Sequence, residues 1–349
     1  MVLVKERKNV LLADCDAGEV SQFASQLFFR GERFEAKQHV ANWKRTGKWS
    51  EFKRYFMYFF TAFRYFLRRR QLGVIAGWQQ FYALIFCFFC ELFSVKKSNV
   101  VIALNFTYKE KQGRIAKLYR WFMGKCVSEK YLDFLHVPSK EYAQYIYNEF
   151  GFPVKRIIVS TFGVKDRYEE LNLLPVPEGY KKDQYALAIG RSNRDYDFLI
   201  SAWGEIDFPL VIISDTYQGK TTNENITILR NVAGAESEPW IANCGLMVLP
   251  IDDGTICSGD TVLLTAMSLK RKIVVTKPST LAEMYVSDGK NAVLAAKIEE
   301  QFRQKVKEVL LDDKYRELGE SARRSFLDVY TIESMGKKVT DALAKQNLC

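Results

Sequence analysis

Hydrophobic positions along this chain come in short runs separated by longer amphipathic stretches. The runs at 9–14 ("NVLLAD"), 73–77 ("GVIAG"), 99–104 ("NVVIAL"), 134–137 ("FLHV") and 156–160 ("RIIVS") have the length and unbroken apolarity of strands buried on both faces. Helical periodicity lies between them, as at 140–152, where Gly151 reads as a helix stop. Alternation of this kind predicts an α/β domain with a mainly parallel sheet.

The pattern fails from Lys165 to Gln184, where prolines, a glycine and charges replace it, and then resumes. Strands are expected at 185–190, 209–214, 226–229, 246–251 and 272–276, with helices after most of them and a helical tail from Ile298 to Leu348. The expected organisation is an N-terminal domain over 1–165, a linker over 166–184, a second α/β domain over 185–330, and a last helix at 331–349 that returns to the first domain. Two Rossmann-like domains facing across a cleft follow from this reading, with ligands at the carboxyl ends of the strands.

Charge changes the picture, because it is unevenly spread. Of 51 Lys+Arg and 41 Asp+Glu, residues 1–170 hold 29 and 16, so the whole positive excess lies in the first half. An anionic partner is expected there, either a membrane surface or nucleic acid. The stretch 51–72 concentrates the charge. At 100° per residue Phe52, Phe56, Phe59, Phe63, Phe66 and Leu67 share one face, with Lys53, Arg54, Arg64 and Arg68 opposite and Tyr58 and Tyr65 at the edges. Such a helix fits the surface of an anionic bilayer, with Lys53, Arg54, Phe56, Phe59, Phe63, Arg64, Phe66 and Arg68 as its contacts. A core helix with a basic outer face is the alternative. No nucleic-acid motif accompanies it, so no nucleic-acid partner is expected. No apolar stretch reaches the roughly 20 residues of a span, and no signal peptide is visible. The seven cysteines show neither disulfide nor zinc spacing, and Cys87 and Cys90 read as buried small hydrophobes. The expected location is cytoplasmic, peripheral at the inner face of the cell membrane.

Two loops at expected strand ends carry candidate chemistry. In 252–261 ("DDGTICSGDT"), Ser258 and Gly259 precede a helix that begins at Asp260 and Thr261. Unpaired amides and the positive dipole end at that point attract phosphate, although the same residues suit an ordinary helix cap. Asp252 and Asp253 lack companions for a metal site, and none is expected. In 188–202, Gly190 is followed by Arg191 and Arg194, which can bracket a diphosphate or pair with Asp195 or Asp197 at the surface.

Taken in order, "YALAIGRSNRDYDFLISAW", "PLVIIS", "NITILRNV", "WIANCGLMVLPI", "SGDTVLLTAMSLKRKIVVT" and "LAEMYVSDGKNAVL" resemble the C-terminal half of a GT-B-fold glycosyltransferase of the retaining family 4 type, over about 185–330. The segment 137–166 is similar to the end of that family's acceptor domain. The resemblance implies a nucleotide-diphospho-sugar donor and no other cofactor. Arg191 and Arg194 would grip the diphosphate, helped by Gly190 and by Ser258, Gly259, Asp260 and Thr261. Asn231 and Val232 would lie by the base and Asp215 near the nucleoside. Two glutamates common in the family are replaced by Cys257 and Thr265, leaving Thr265 only a hydroxyl for the sugar. A histidine common on the acceptor side is replaced by Asn105. Asp14, Asp16 or Glu19 can supply a base or merely cap a helix, and Asp16 is taken as the candidate. His39 and His136 are expected to be structural. The expected activity is retaining, metal-independent sugar transfer to a lipid-linked or cell-surface glycan. The alternative is a non-catalytic membrane-associated subunit of the same fold.

Overall fold

The computed structural model describes residues 7–15, 17–39, 48–108, 110–232 and 234–346. The chain divides into two compact units, one formed by 1–162 with 332–349 and the other by 163–331.

In the first unit the strands are β1 (Lys8–Ala13), β2 (Phe28–Phe29), β3 (Glu32–Gln38), β4 (Leu72–Gly77), β5 (Val100–Ala103), β6 (Phe134–Val137) and β7 (Ile157–Val159). Between them lie α1 (Ala17–Gln26), α2 (Lys48–Leu67), α3 (Gln80–Leu92), α4 (Ala116–Cys126) and α5 (Lys140–Phe150). Among the described residues the sheet order is β2-β3-β1-β4-β5-β6-β7, parallel except where β2 meets β3. Alternate residues of β1 serve opposite faces. Val10 and Leu12 join the core beneath α2 and α3, while Leu11 and Ala13 join the core that includes Phe23 of α1. The short hairpin β2–β3 escaped the apolar-run criterion because "ERFEAKQ" is mostly polar, with only Phe34 buried.

Helix α2 is where the structure corrects the sequence. It lies on α3, with Tyr58 against Phe81 and Tyr82, and Tyr58, Thr61, Ala62 and Phe66 are buried. Phe66 therefore packs inward against Phe86 and Phe89 and does not belong to an outer contact face. Tyr58, expected at an edge, is 1% exposed. The helix is apolar around more than half its circumference, so periodicity alone did not say which arc meets the sheet. Phe52, Phe56, Phe59, Phe60, Phe63 and Leu67 remain exposed.

In the second unit the elements run α6 (Tyr168–Leu171), β8 (Ala186–Ile189), α7 (Tyr196–Trp203), β9 (Leu210–Ile213), β10 (Ile226–Leu229), α8 (Glu238–Asn243), β11 (Leu246–Leu249), α9 (Asp260–Ser268), β12 (Lys272–Lys277), α10 (Thr280–Tyr285), β13 (Val293–Ala296), α11 (Glu299–Leu311) and α12 (Leu318–Ser325). The parallel sheet is ordered β10-β9-β8-β11-β12-β13 among the described residues. That is the doubly wound order, and the winding reverses between β8 and β11. The stretch 166–184 is packed against this unit. Asp166 accepts two hydrogen bonds from Arg323, at 2.6 and 2.7 Å, and Arg167 pairs with Glu238 at 2.6 Å.

Helix α13 (Ile332–Gln346) closes the first unit, placing Ile332, Met335, Val339 and Leu343 in the core that holds Phe23.

Candidate functional site

Because the winding reverses between β8 and β11, the loops after these two strands lie side by side at the carboxyl edge of the sheet. Arg194 and Ile251 form an antiparallel bridge, and the Asp195 amide donates to the Pro250 carbonyl at 2.8 Å. Asn193, held at φ 55°, clamps the two loops. Its amide nitrogen donates to the carbonyls of Asp253 (3.0 Å) and Ile256 (3.1 Å), and its oxygen accepts from the Asp253 amide at 2.7 Å. Sequence reading missed Asn193. Its one signal was an asparagine in a polar turn, a residue that tolerates left-handed backbone.

Arg194 occupies the space this clamp creates. Its Nη1 donates to the carbonyls of Ser192, Asn193 and Ser258 at 3.3, 3.1 and 3.4 Å. Its Nε is buried and meets no acceptor among the described residues. Burial presses this guanidinium below its usual pKa, only partly offset by Tyr196 and Asp260. The guanidinium packs against Gly190, where a Cβ would lie 3.1 Å from Nε, and covers Gly259 so closely that a Cβ there would overlap Nη2. Gly259 adopts φ 100° and is the N-cap of α9, so no side chain covers the helix end from that position. A positive dipole end and a half-buried cation with one unbonded N–H thus converge at one point, an arrangement suited to an anion.

Arg191 is exposed, and its Nε donates to Asp215 at 3.0 Å, at the end of β9. Neither arginine pairs with Asp195 or Asp197. Asp195 caps α7 and pairs with Lys297 at 2.7 Å, while Asp197 accepts from Tyr217. Asp215 is therefore joined to Arg191 through a carboxylate, and Thr216 donates to the Arg191 carbonyl at 2.6 Å, holding the same loop. Asn231, with φ 63°, and Val232 follow β10 on the same edge, where Arg230 binds the carbonyls of Tyr217 and Gly219.

The rest of the loop divides by role. Asp253 accepts from the amide and hydroxyl of Thr255, a local turn. Asp260 accepts from the Thr261 amide at 2.9 Å, and burial raises its carboxyl despite that bond and the nearby Arg194. Ser258 offers its carbonyl to Arg194. Cys257 is partly buried, its thiol pushed up to about 12 by that burial and by Asp260. Thr265 lies one turn further into α9. Among the described residues no three His, Cys, Asp or Glu side chains gather as a metal site.

In the first unit, Asp14 follows β1 and accepts from the Tyr58 hydroxyl. Asp16 lies outside the described residues, as does the side chain of Glu19. His39 is half-buried beside Tyr65, and burial lowers its pKa. His136 is buried in β6. Its Nδ1 accepts from the Asn105 amide at 3.1 Å, so the ring proton sits on Nε2, which donates to the Ser160 carbonyl at 3.0 Å. Burial drives this imidazole down to about 4, and the ring is neutral at ordinary pH. Its work is to fix the turn at Asn105, which adopts φ 52°.

The chain is similar to known proteins at two levels. Residues 183–312 match the family model "Glycosyl transferases group 1". No curated protein sequence matches the chain. In structure the chain is similar to a glycosyltransferase from Rickettsia africae (TM-score 0.64, 12% identity, 98% of this chain and 99% of the other). It is similar also to HepE from Anabaena in complex with UDP (TM-score 0.66, 11% identity, 97% and 100%). A third likeness is to WaaG, a glycosyltransferase involved in lipopolysaccharide biosynthesis (TM-score 0.62, 14% identity, 96% and 99%). At these identities the likeness establishes the fold, which is GT-B.

Proposed function

We propose that this GT-B-fold chain, with a group 1 glycosyl transferase domain over residues 183–312, is a retaining, metal-independent glycosyltransferase. It moves a sugar from a UDP- or GDP-linked donor to a lipid-linked or lipopolysaccharide-type glycan at the inner face of the cell membrane. The observation that carries the reading is Arg194, a half-buried cation whose buried Nε is unbonded among the described residues, lodged between Gly190 and Gly259 at the amino end of α9. A donor diphosphate would offer this N–H an acceptor whose charge complements the guanidinium. The UDP held by HepE and the lipopolysaccharide role of WaaG support the donor and acceptor classes.

The chemistry follows from charge. As the bond between sugar and diphosphate breaks, negative charge grows on the leaving oxygen. Arg194 and the amides of α9 meet it at the helix end, and Arg191, exposed and bonded to Asp215 through Nε, adds a second cation. These groups supply the positive charge that a divalent ion would otherwise bring. Asn231 and Val232, which follow β10, are proposed to lie by the base. Thr265 has a hydroxyl for the sugar, and Asp16 is retained as a proposed base.

Cys257 and Thr265, at positions where the family often has glutamates, favour a second reading: a non-catalytic subunit that binds a nucleotide sugar. One experiment separates the two. Transfer and donor hydrolysis are measured over a panel of UDP- and GDP-sugars, alongside thermal shift with each nucleotide. Turnover that disappears in Arg194→Ala supports the enzyme, full activity in both Arg191→Ala and Arg194→Ala overturns it, and a shift without turnover supports the subunit.

A further inference from the structure

Helix α2 has two apolar faces, and the fold uses one. Tyr58, Ala62 and Phe66 lie inside. On the other side Trp49, Phe52, Phe56, Phe60 and Leu67 are more than half exposed, with Phe56 at 64%. This row does not stand alone. Phe59 meets Phe122 of α4 at 5.9 Å between ring centroids, Phe63 meets Phe89 of α3 at 5.1 Å, and Phe88 meets Trp121 of α4 at 6.1 Å. Helix α4 then continues outward with Leu118 at 65% and Trp121 at 53% exposed, and α3 ends on exposed Leu92 and Phe93. Three neighbouring helices therefore present linked aromatic side chains to solvent, well beyond the scattered single hydrophobes of an ordinary surface.

Charge identifies the occupant. Residues 48–71 hold seven basic residues and one acidic, and α4 holds three basic and none acidic. Cations stand directly over the exposed rings: Arg64 lies 5.9 Å from the Phe60 centroid and Lys53 lies 5.8 Å from that of Trp49. Glu91, the acid at the end of α3, is engaged by Lys125 and Lys130 at 3.6 and 3.7 Å. A second copy docking face to face would bring like charges together. A bilayer with anionic headgroups takes both features at once, rings at the acyl boundary and cations at the phosphates. No helix among the described residues is long and apolar enough to cross a membrane, so the fit is to the surface.

We infer that α2, the end of α3 and α4 form one docking platform for an anionic lipid bilayer, seated through Phe56, Phe60, Leu118 and Trp121. This deepens the membrane side of the proposed function and rests on it. It also moves the contact off α2 alone and off Phe66.

The test uses the full chain with vesicles of phosphatidylcholine, with or without phosphatidylglycerol. Sedimentation with the anionic vesicles is expected, about tenfold weaker with neutral ones and weakened by salt. Brominated acyl chains should quench tryptophan emission, and the quenching should vanish in Trp49→Phe/Trp121→Phe. Phe56→Ser/Phe60→Ser and Leu118→Ser/Trp121→Ser alter exposed side chains, so each should keep its melting temperature while lowering vesicle partition about tenfold. Failure to bind anionic vesicles, or wild-type binding by the Leu118→Ser/Trp121→Ser variant, overturns the platform. A dimer that loses mass in Phe56→Ser/Phe60→Ser, with no vesicle binding, overturns it in favour of a second copy. Thermal shift with UDP and GDP on the same variants reports on the second unit, so loss of the platform and loss of the donor site are read separately.

Discussion

The Arg194 guanidinium lies over Gly259 at the start of α9, so closely that any Cβ at residue 259 would overlap Nη2. One residue's absence of a side chain thus sets where the other residue's charge sits.

Gly259→Ala is expected to move Arg194 off the helix end. The φ of 100° also strains any residue other than glycine, at a cost of roughly 1 kcal/mol or more of stability. Nucleotide affinity should fall about tenfold or more, since a charge-assisted bond contributes on the order of 1.5–3 kcal/mol. Calorimetric titration with UDP and GDP, beside a melting curve, checks both effects.

The two arginines should differ in kind. Arg194 is half-buried at the helix end, and Arg194→Ala should lower kcat by roughly 100- to 1000-fold, the scale for losing a donor to developing charge. Arg191 is exposed and tied to Asp215, so Arg191→Ala should cost less in kcat and show mainly as a raised KM. Steady-state kinetics with the best donor of the panel distinguishes them.

Two phenylalanines on one helix test the face that α2 buries. Phe66→Ala should destabilise the protein by about 3–5 kcal/mol through a core cavity. Phe56→Ala should change stability by no more than about 0.5 kcal/mol. Urea unfolding at neutral pH gives both values.

His136 predicts a pH dependence. Its folded pKa of about 4 lies below the value near 6.5 of an unfolded chain, so the unfolded state binds the proton first. Its contribution is intact above pH 6.5 and is lost as pH falls towards 4. The full loss is on the order of 3 kcal/mol at 1.36 kcal/mol per unit. Urea midpoints between pH 4 and 7 should fall less steeply in His136→Gln than in the parent.

Much of the architecture was legible because parallel strands buried on both faces announce themselves. The segments 134–137 and 226–229 were read to the residue, and Gly151 does end α5 with φ 68°. The hairpin β2–β3 was not legible, since a polar strand carries no run. At the site, Gly190, Arg191, Arg194 and the 258–261 turn could be singled out as strand-end residues of the right chemistry. The clamp by Asn193 and the carboxylate that Arg191 chooses could not, because each depends on a partner 20 or more residues away, and the unbonded Nε of Arg194 could not, because it depends on how the loops pack around it.

What the sequence determined by itself was the alternation of elements, the excess of positive charge in the first half and the residue types at each strand end. These are local properties, set by side-chain polarity, backbone preference and count. The tertiary structure decided which arc of α2 is buried, which loops meet at the reversal between β8 and β11, and whether Arg194 faces a carboxylate or an open site. Those outcomes depend on which distant surfaces come together, and short-range packing and hydrogen bonding discriminate only once the chain has brought them into contact.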